Sequence, residues 1–138
     1  MAIVIQVQGK PRPQGSKRLV NGRMIESSAG LPAWRESIRA ETQRAMNGNR
    51  VMGGAVRAEL VFLMPRPKGH MGVNGIRKGA PALPTIVPDL DKLARAVLDG
   101  IVNGGAIQDD SQVTTLVAKK VYADDRVAGL IVRLSEDV

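Results

Sequence analysis

The chain has 138 residues, 43% of them hydrophobic, and a formal net charge of +7; this length and composition predict one globular domain over residues 1–138. It contains no cysteine and a single histidine, His70, which excludes disulfides and zinc–thiolate sites and argues against histidine-based acid–base catalysis. Only three residues are aromatic, too few for a surface that stacks the bases of single strands.

The charge is unevenly distributed along the chain. Residues 1–80 carry 14 lysines or arginines and 4 glutamates, whereas residues 81–138 carry 6 basic and 9 acidic residues, including all 8 aspartates. A strongly basic half indicates that the partner is the phosphate backbone of a nucleic acid. The alternative interpretation is that the positive charge serves only solubility. The start, MAIVIQVQGK, is not a signal peptide, and no apolar run reaches membrane-spanning length, so we expect an intracellular protein with no membrane partner.

The first half of the chain predicts a strand, a hairpin and a helix. Residues 2–8 alternate in hydropathy as a strand does, and the turn-rich basic segment GKPRPQGSKR follows at residues 9–18. Asn21-Gly22 between short apolar runs predicts a tight hairpin. A helix is expected over about residues 31–46, with Arg35 on its solvent side.

The second half predicts three further strands and a second helix. A strand is expected over residues 55–64, a helix over about residues 89–103, and strands over about residues 111–123 and 127–134. Between the first two lies a long loop with four cations and no acid, either an arm that grips phosphates or a mobile surface insertion. The order of elements predicts an α+β fold: one mixed sheet with two main helices packed against it and a long basic loop before the second helix.

The densest group of acids surrounds the second helix. Its sequence is PDLDKLARAVLDG, and QDDSQV follows from residue 108. Asp89 and Asp91 would lie at the start of the helix and Asp110 at the start of the next strand, so we expect these three carboxylates to meet. Carboxylate oxygens are the ligands that Mg²⁺ and Mn²⁺ prefer, and an acidic centre in a basic protein indicates chemistry on a polyanion.

Each of these acids also has an ordinary structural interpretation. Asp89 would serve as a helix N-cap, and Asp91 would interact with the helix dipole. Asp91, Arg95 and Asp99 are spaced as a surface salt-bridge ladder, and Asp109-Asp110 would be a solvated turn.

PDLDKLARAVLDG followed by DDSQV resembles the signature of the RusA family of Holliday junction resolvases of bacteria and phages, with looser support from GKPRPQGSKR. The resemblance implies that the catalytic metal-site aspartates are Asp89, Asp91 and Asp110 and that the essential lysine of the family corresponds to Arg95. Lys92 stands where the family typically has asparagine. Arginine keeps the positive charge at position 95 but does not donate a proton near neutral pH.

The resemblance also implies a homodimeric endonuclease that uses Mg²⁺, or Mn²⁺ in its place, to resolve four-way DNA junctions into 5′-phosphate and 3′-hydroxyl ends. Such a protein would act in the cytoplasm of a bacterium or a phage-infected cell, in DNA recombination and repair. Two alternatives stay open: a non-catalytic, basic DNA-binding protein that retains the fold, and a metal nuclease for other branched DNA or for RNA. Contacts to the DNA backbone are expected from basic residues of the two turn-rich segments: Lys10, Arg12, Lys17, Arg18, Lys68, Arg77 and Lys78.

Overall fold

The computed structural model of the chain describes residues 2–15, 17–26 and 29–138, without the side chains of residues 17, 18, 25 and 26. Two short 3₁₀ helices, Lys68–His70 and Asp110–Gln112, accompany the main elements. No helix in these ranges has the length and apolar character that a membrane crossing requires. In chain order the main elements are β1 (Ala2–Gln8), β2 (Lys17–Val20), β3 (Arg23–Glu26), α1 (Leu31–Met46), β4 (Val56–Met64), β5 (Met71–Gly72), β6 (Gly75–Ile76), α2 (Leu90–Asn103), β7 (Val113–Tyr122) and β8 (Gly129–Glu136).

Four strands form one mixed sheet in the order β1–β8–β4–β7. β8 is antiparallel to both of its neighbours, and β7 is parallel to β4. Parallel neighbours need a long crossover connection, and α2 lies within the connection from β4 to β7. The predicted α+β class, with one mixed sheet and two main helices, is confirmed.

The two helices and one face of the sheet enclose the core. In β1 the odd-numbered residues from Ile3 to Val7 are buried and the even-numbered ones are exposed, as expected for a strand with one covered face. α1 packs against β1 and α2. On the sheet, Arg57 and Arg133 both form ion pairs with Glu59, and these partly exposed charges lie on the uncovered face.

The two helices approach each other closely at Gly100 of α2 and at Gly104, the residue that caps the C-terminus of α2. A Cβ added to Gly100 would lie 2.5 Å from Ile38 Cγ2, and one added to Gly104 would lie 2.5 Å from Thr42 Cβ. In each helix the two contacting residues are four positions apart, which is about one helical turn. The absence of side chains at these glycines therefore sets the distance between α1 and α2.

The structure describes both the predicted hairpin at Asn21-Gly22 and the predicted long loop before α2. Asn21 and Gly22 have φ values of 49° and 77° and join β2 to β3, which confirms the hairpin. Residues 65–88 form the long basic loop that was predicted before α2, but this segment also contains a 3₁₀ helix and the small hairpin of β5 and β6. Strands of two residues are too short to produce a detectable alternation of hydropathy.

Arg66 anchors the start of this long loop to the end of β7. Its Nε donates to Asp124 Oδ1 at 2.7 Å, and one terminal nitrogen donates to the carbonyl of Pro81 at 2.8 Å. The guanidinium also lies 4.0 Å from the centre of the Tyr122 ring, in a cation–π contact. The side chain of Arg66 is only 8% exposed, so this anchor is part of the packed structure rather than a surface ion pair.

Candidate active site

Two of the three predicted metal ligands lie at the N-terminus of α2. Asp89 occupies the N-cap position, but its side chain accepts no capping hydrogen bond. Within the described residues, the partner of its carboxylate is Lys92, in a distant ion pair at 3.9 Å. The N-cap interpretation is therefore correct for the backbone of Asp89 and wrong for its carboxylate. Asp91 follows in the first turn, where the helix dipole stabilises negative charge. Both residues are exposed, so their oxygens are accessible to a ligand.

Lys120 holds the backbone that leads into these aspartates. Its Nζ donates to the carbonyls of Ile86 and Pro88, at 3.0 and 2.9 Å. A charged donor on both carbonyls stabilises this approach to Asp89 more than neutral hydrogen bonds would. Sequence reasoning did not predict this role, because a lysine in a strand at the edge of a sheet is usually a solvated residue.

Asp110, the third predicted ligand, lies in a 3₁₀ turn that precedes β7 rather than in the strand itself. Asp109 caps this turn, accepting from the Ser111 backbone N–H at 2.9 Å, while Gln112 Oε1 accepts from the Asp109 N–H at 3.1 Å. The amide nitrogen of Gln112 also donates to carbonyls in the 52–54 segment before β4, at 2.9 Å. The two neighbouring aspartates therefore have different roles. Asp109 stabilises the turn, and the carboxylate of Asp110 lines a neighbouring cavity.

That cavity lies beside the second half of α2. It has a volume of about 240 Å³, and Asp99, Asp109, Asp110 and Arg35 are among the residues that line it. The hydrogen bond with Asp109, burial, and the negative charges of Asp109 and Asp99 raise the pKa of Asp110. The pKa of Asp109 is lowered, mainly by the hydrogen bond from the Ser111 backbone. Negative charge is therefore crowded here, and a bound cation would relieve that repulsion.

Gln14 joins the N-terminal basic segment to both helices. Its backbone N–H donates to the carbonyl of Lys92 at 3.0 Å. Its side-chain amide donates to the Asp99 carboxylate and accepts from Arg35 at 3.1 Å. The prediction that Arg35 lies on the solvent side of α1 is wrong, because this half-buried side chain turns toward the acidic cavity. Neither Gln14 nor Arg35 was predicted, since their contact joins distant parts of the chain.

Arg95 lies on α2 between the two groups of acids. Its guanidinium is close to the N-terminal segment: a Cβ added to Gly15 would be 3.1 Å from one terminal nitrogen. In the described parts of the chain Arg95 forms no ion pair with Asp91 or Asp99. The interpretation of Asp91, Arg95 and Asp99 as a salt-bridge ladder is therefore wrong. The guanidinium of Arg95 is exposed and available to an anionic ligand.

The three predicted ligands do not converge within this chain. Asp89 and Asp99 are ten residues apart, which is about 15 Å along a helix axis, and Asp110 lies near Asp99. Within residues 2–15, 17–26 and 29–138, no group of three or more His, Cys, Asp or Glu residues is placed to hold a metal ion. The donor chemistry, carboxylate oxygens alone, suits Mg²⁺ or Mn²⁺. Assignment of Asp89, Asp91 and Asp110 as ligands stays a prediction.

Two of the predicted DNA-binding lysines lie together. Lys10, in the N-terminal basic segment, and Lys68, in the first 3₁₀ helix, line the same cavity and are exposed. Arg12 lies elsewhere, against the start of α1, where a Cβ added to Gly30 would be 3.1 Å from its Nε.

The remaining predicted DNA-binding residues are dispersed. Arg77 and Lys78 follow the β5–β6 hairpin and are exposed, and Arg77 Nε donates to the carbonyl of Met71 at 3.0 Å. The side chains of Lys17 and Arg18 lie outside the described residues.

The chain matches a known protein family. The family model for endodeoxyribonuclease RusA matches residues 5–135, nearly the whole chain. This range includes Asp89, Asp91, Arg95 and Asp110 and both turn-rich basic segments. No curated protein matches the chain.

Proposed function

Because the chain belongs to the RusA family of endodeoxyribonucleases, we propose that it resolves four-way DNA junctions by Mg²⁺-dependent hydrolysis of phosphodiester bonds, in DNA recombination and repair. A homodimer would make paired, symmetric cuts, since a two-fold axis relates two identical sites. The family match over residues 5–135 carries this proposal. The uncapped carboxylate of Asp89 supports it, because a residue with a purely structural role at this position would cap the helix.

Asp89, Asp91 and Asp110 are the proposed metal ligands, with Mn²⁺ as a substitute for Mg²⁺. Because the three carboxylates do not converge in this structure, binding of the ion and the DNA would have to bring the turn that carries Asp110 toward the start of α2. When bound, the metal supplies a water of lowered pKa and neutralises charge on the scissile phosphate. Arg95 binds the phosphate oxygens and stabilises the charge that develops on them. Arginine side chains are poor proton donors in catalysis, so water would protonate the departing 3′ oxygen.

Binding of the junction is assigned to the exposed basic residues, foremost Lys10 and Lys68, which lie together. Contacts between lysines and phosphates release counterions, so affinity should fall steeply as the salt concentration rises. These contacts are independent of sequence and orient the DNA toward α2.

A second candidate is a basic DNA-binding protein without catalytic activity. The observation that favours it is Arg95, which stands at the position of the essential family lysine. A nuclease for other branched DNA or for RNA is the third candidate, and only a comparison of substrates separates it from a junction resolvase.

The test compares three proteins on a synthetic four-way junction with Mg²⁺: the wild type, Asp91→Asn and Asp125→Asn. Asp125 is an exposed residue in the turn between β7 and β8, so its substitution changes the net charge equally but leaves α2 intact. We expect the wild type and Asp125→Asn to cut the junction, and Asp91→Asn to bind it without cutting. Cutting by Asp91→Asn at the wild-type rate would refute the site assignment.

The same assay separates the other candidates. Binding by all three proteins with cleavage by none would establish the non-catalytic alternative. Flaps, linear duplex and the corresponding RNA substrates, assayed in parallel, should be cut more slowly than the junction. Equal rates on linear duplex or on RNA would refute junction selectivity.

A further inference from the structure

A second cavity lies beside the entry to α2. It has a volume of about 360 Å³ and lies between the two ends of the long loop and the C-terminal half of β7. Pockets for small ligands typically have volumes of about 300–1,000 Å³. Pro88 lines this cavity and directly precedes Asp89, so a ligand in the cavity would lie next to the first candidate catalytic carboxylate.

The wall of this cavity combines apolar surface with positive charge. The apolar residues of the lining include four prolines, Pro65, Pro67, Pro84 and Pro88, and no aspartate or glutamate is present in the lining. The basic side chains are those of Lys10, Arg66, Lys68 and Lys120. A free phosphate would gain little from the prolines, whereas a ligand with a flat apolar part and a negative part would use both.

The four basic groups have different tasks. Arg66 is bound to Asp124 and to the Pro81 carbonyl, and Lys120 is bound to the carbonyls of residues 86 and 88. These two side chains fix both ends of the loop and hold the cavity in shape. Lys10 and Lys68 are exposed and form no ion pair in the described part of the chain. They are therefore the groups available to an incoming anion.

We propose that this cavity receives one unpaired nucleotide of the DNA strand that is cut, with its base against the prolines and its phosphate at Lys10 and Lys68. The proposal rests on the nuclease function proposed above. Arg66 covers a face of the Tyr122 ring at 4.0 Å, so the base packs on proline rings rather than stacking on an aromatic platform. Unpairing a base is least unfavourable where stacking is already disrupted, as at a branch point.

A nucleotide bound in this cavity would position the neighbouring phosphate for the reaction. A nucleotide held at Pro88 brings its neighbouring phosphate to the start of α2, where Asp89 and Asp91 lie. The cavity would thus select a branched substrate, because a fully stacked duplex presents no base to fill it.

A fluorescent base analogue tests this directly. 2-Aminopurine, which becomes brighter when it leaves a base stack, is placed singly at each position within three nucleotides of the cut in a four-way junction. Binding is measured with EDTA present, so that the junction stays intact. We expect a several-fold rise in fluorescence at one position beside the cut when the wild type binds.

Two variants with the same change in charge identify the cavity as the cause. Ile86 lines the cavity and is 57% exposed, so Ile86→Glu places a carboxylate there without disturbing the core. Val73, in the turn of the β5–β6 hairpin, is fully exposed, and Val73→Glu is the matched control. We expect Ile86→Glu to abolish the fluorescence rise and to raise KM for junction cleavage about tenfold more than Val73→Glu does, because the carboxylate repels the nucleotide phosphate. Both variants should keep the wild-type Tm.

The outcomes separate the two proposals. Junction cleavage without a fluorescence rise at any position, or with equal KM values for the two variants, would overturn the nucleotide cavity and leave the nuclease proposal standing. A fluorescence rise that Ile86→Glu abolishes, in a protein that cuts no DNA, would support the cavity and overturn the nuclease proposal. Absence of any binding to the junction would overturn both.

Discussion

The close contact between α1 and α2 makes Gly100→Ala a sensitive test of the packing that supports the site. The added Cβ would lie 2.5 Å from Ile38 Cγ2 and 2.8 Å from Ile38 Cβ, both far inside van der Waals contact. Alanine in a helix interior is favoured over glycine by about 0.5–1 kcal/mol, but overpacking of a core costs about 1–3 kcal/mol. We therefore expect the free energy of unfolding to fall by about 1–2 kcal/mol and Tm to fall by about 3–8 °C.

Urea unfolding of five proteins measures this effect: the wild type, Gly100→Ala, Gly53→Ala, Ile38→Ala and the double variant Ile38→Ala/Gly100→Ala. Gly53→Ala is the matched control, because an added Cβ there would meet nothing within 4 Å and the backbone is outside the left-handed region; it should leave stability unchanged within about 0.5 kcal/mol. Ile38→Ala removes Cγ2 but keeps Cβ, which would lie 2.8 Å from the added atom. The clash is therefore relieved in part, and Gly100→Ala should cost at least about 0.5 kcal/mol less in that background. A Gly100→Ala protein as stable as the wild type would refute the helix contact described here.

Two further predictions concern charge. The ion pair with Arg66 lowers the pKa of Asp124, so its stabilising effect is complete above the unfolded-state pKa of about 4 and is lost as the pH falls through the folded-state pKa. Asp124→Asn should accordingly flatten the decline in stability below about pH 5 in urea titrations; an unchanged decline would contradict the ion pair. Lys68→Ala should reduce the slope of log affinity for the junction against log salt by about one, whereas Lys119→Ala, an exposed control on β7, should leave it unchanged. Equal slopes of log affinity against log salt for the two variants would show that Lys68 does not contact the DNA.

The parts of the fold that follow from local sequence were predicted well. The bounds of α1 and the hairpin at Asn21-Gly22 agree with the structure, because helix periodicity and turn chemistry involve only neighbouring residues. β7 and β8 each begin about two residues later than predicted. For β7 the reason is that Asp109 caps a 3₁₀ turn where a strand was expected: its carboxylate accepts from the Ser111 N–H, and its own N–H donates to Gln112.

The site was predicted less completely, because several of its contacts join distant segments. The sequence pattern identified the acids and Arg95, but it could not reveal that Gln14 lies between Asp99 and Arg35. Lys120 is likewise 32 residues from the Pro88 carbonyl that it binds. Such contacts depend on how the sheet and helices pack, and no periodicity along one segment encodes them.

The central position of β8 in the sheet determines how this protein folds. β8 pairs on one side with β1, where Ile5 faces Val132, and on the other with β4, where Leu60 faces the same residue. These partners are far apart in sequence, so the sheet has a high contact order and its formation is slow compared with that of a helical bundle. Gln14 follows β1 and α2 follows β4, and β8 lies between these two strands in the sheet. The side chains of the candidate site are therefore held in place by strand pairings between distant parts of the chain.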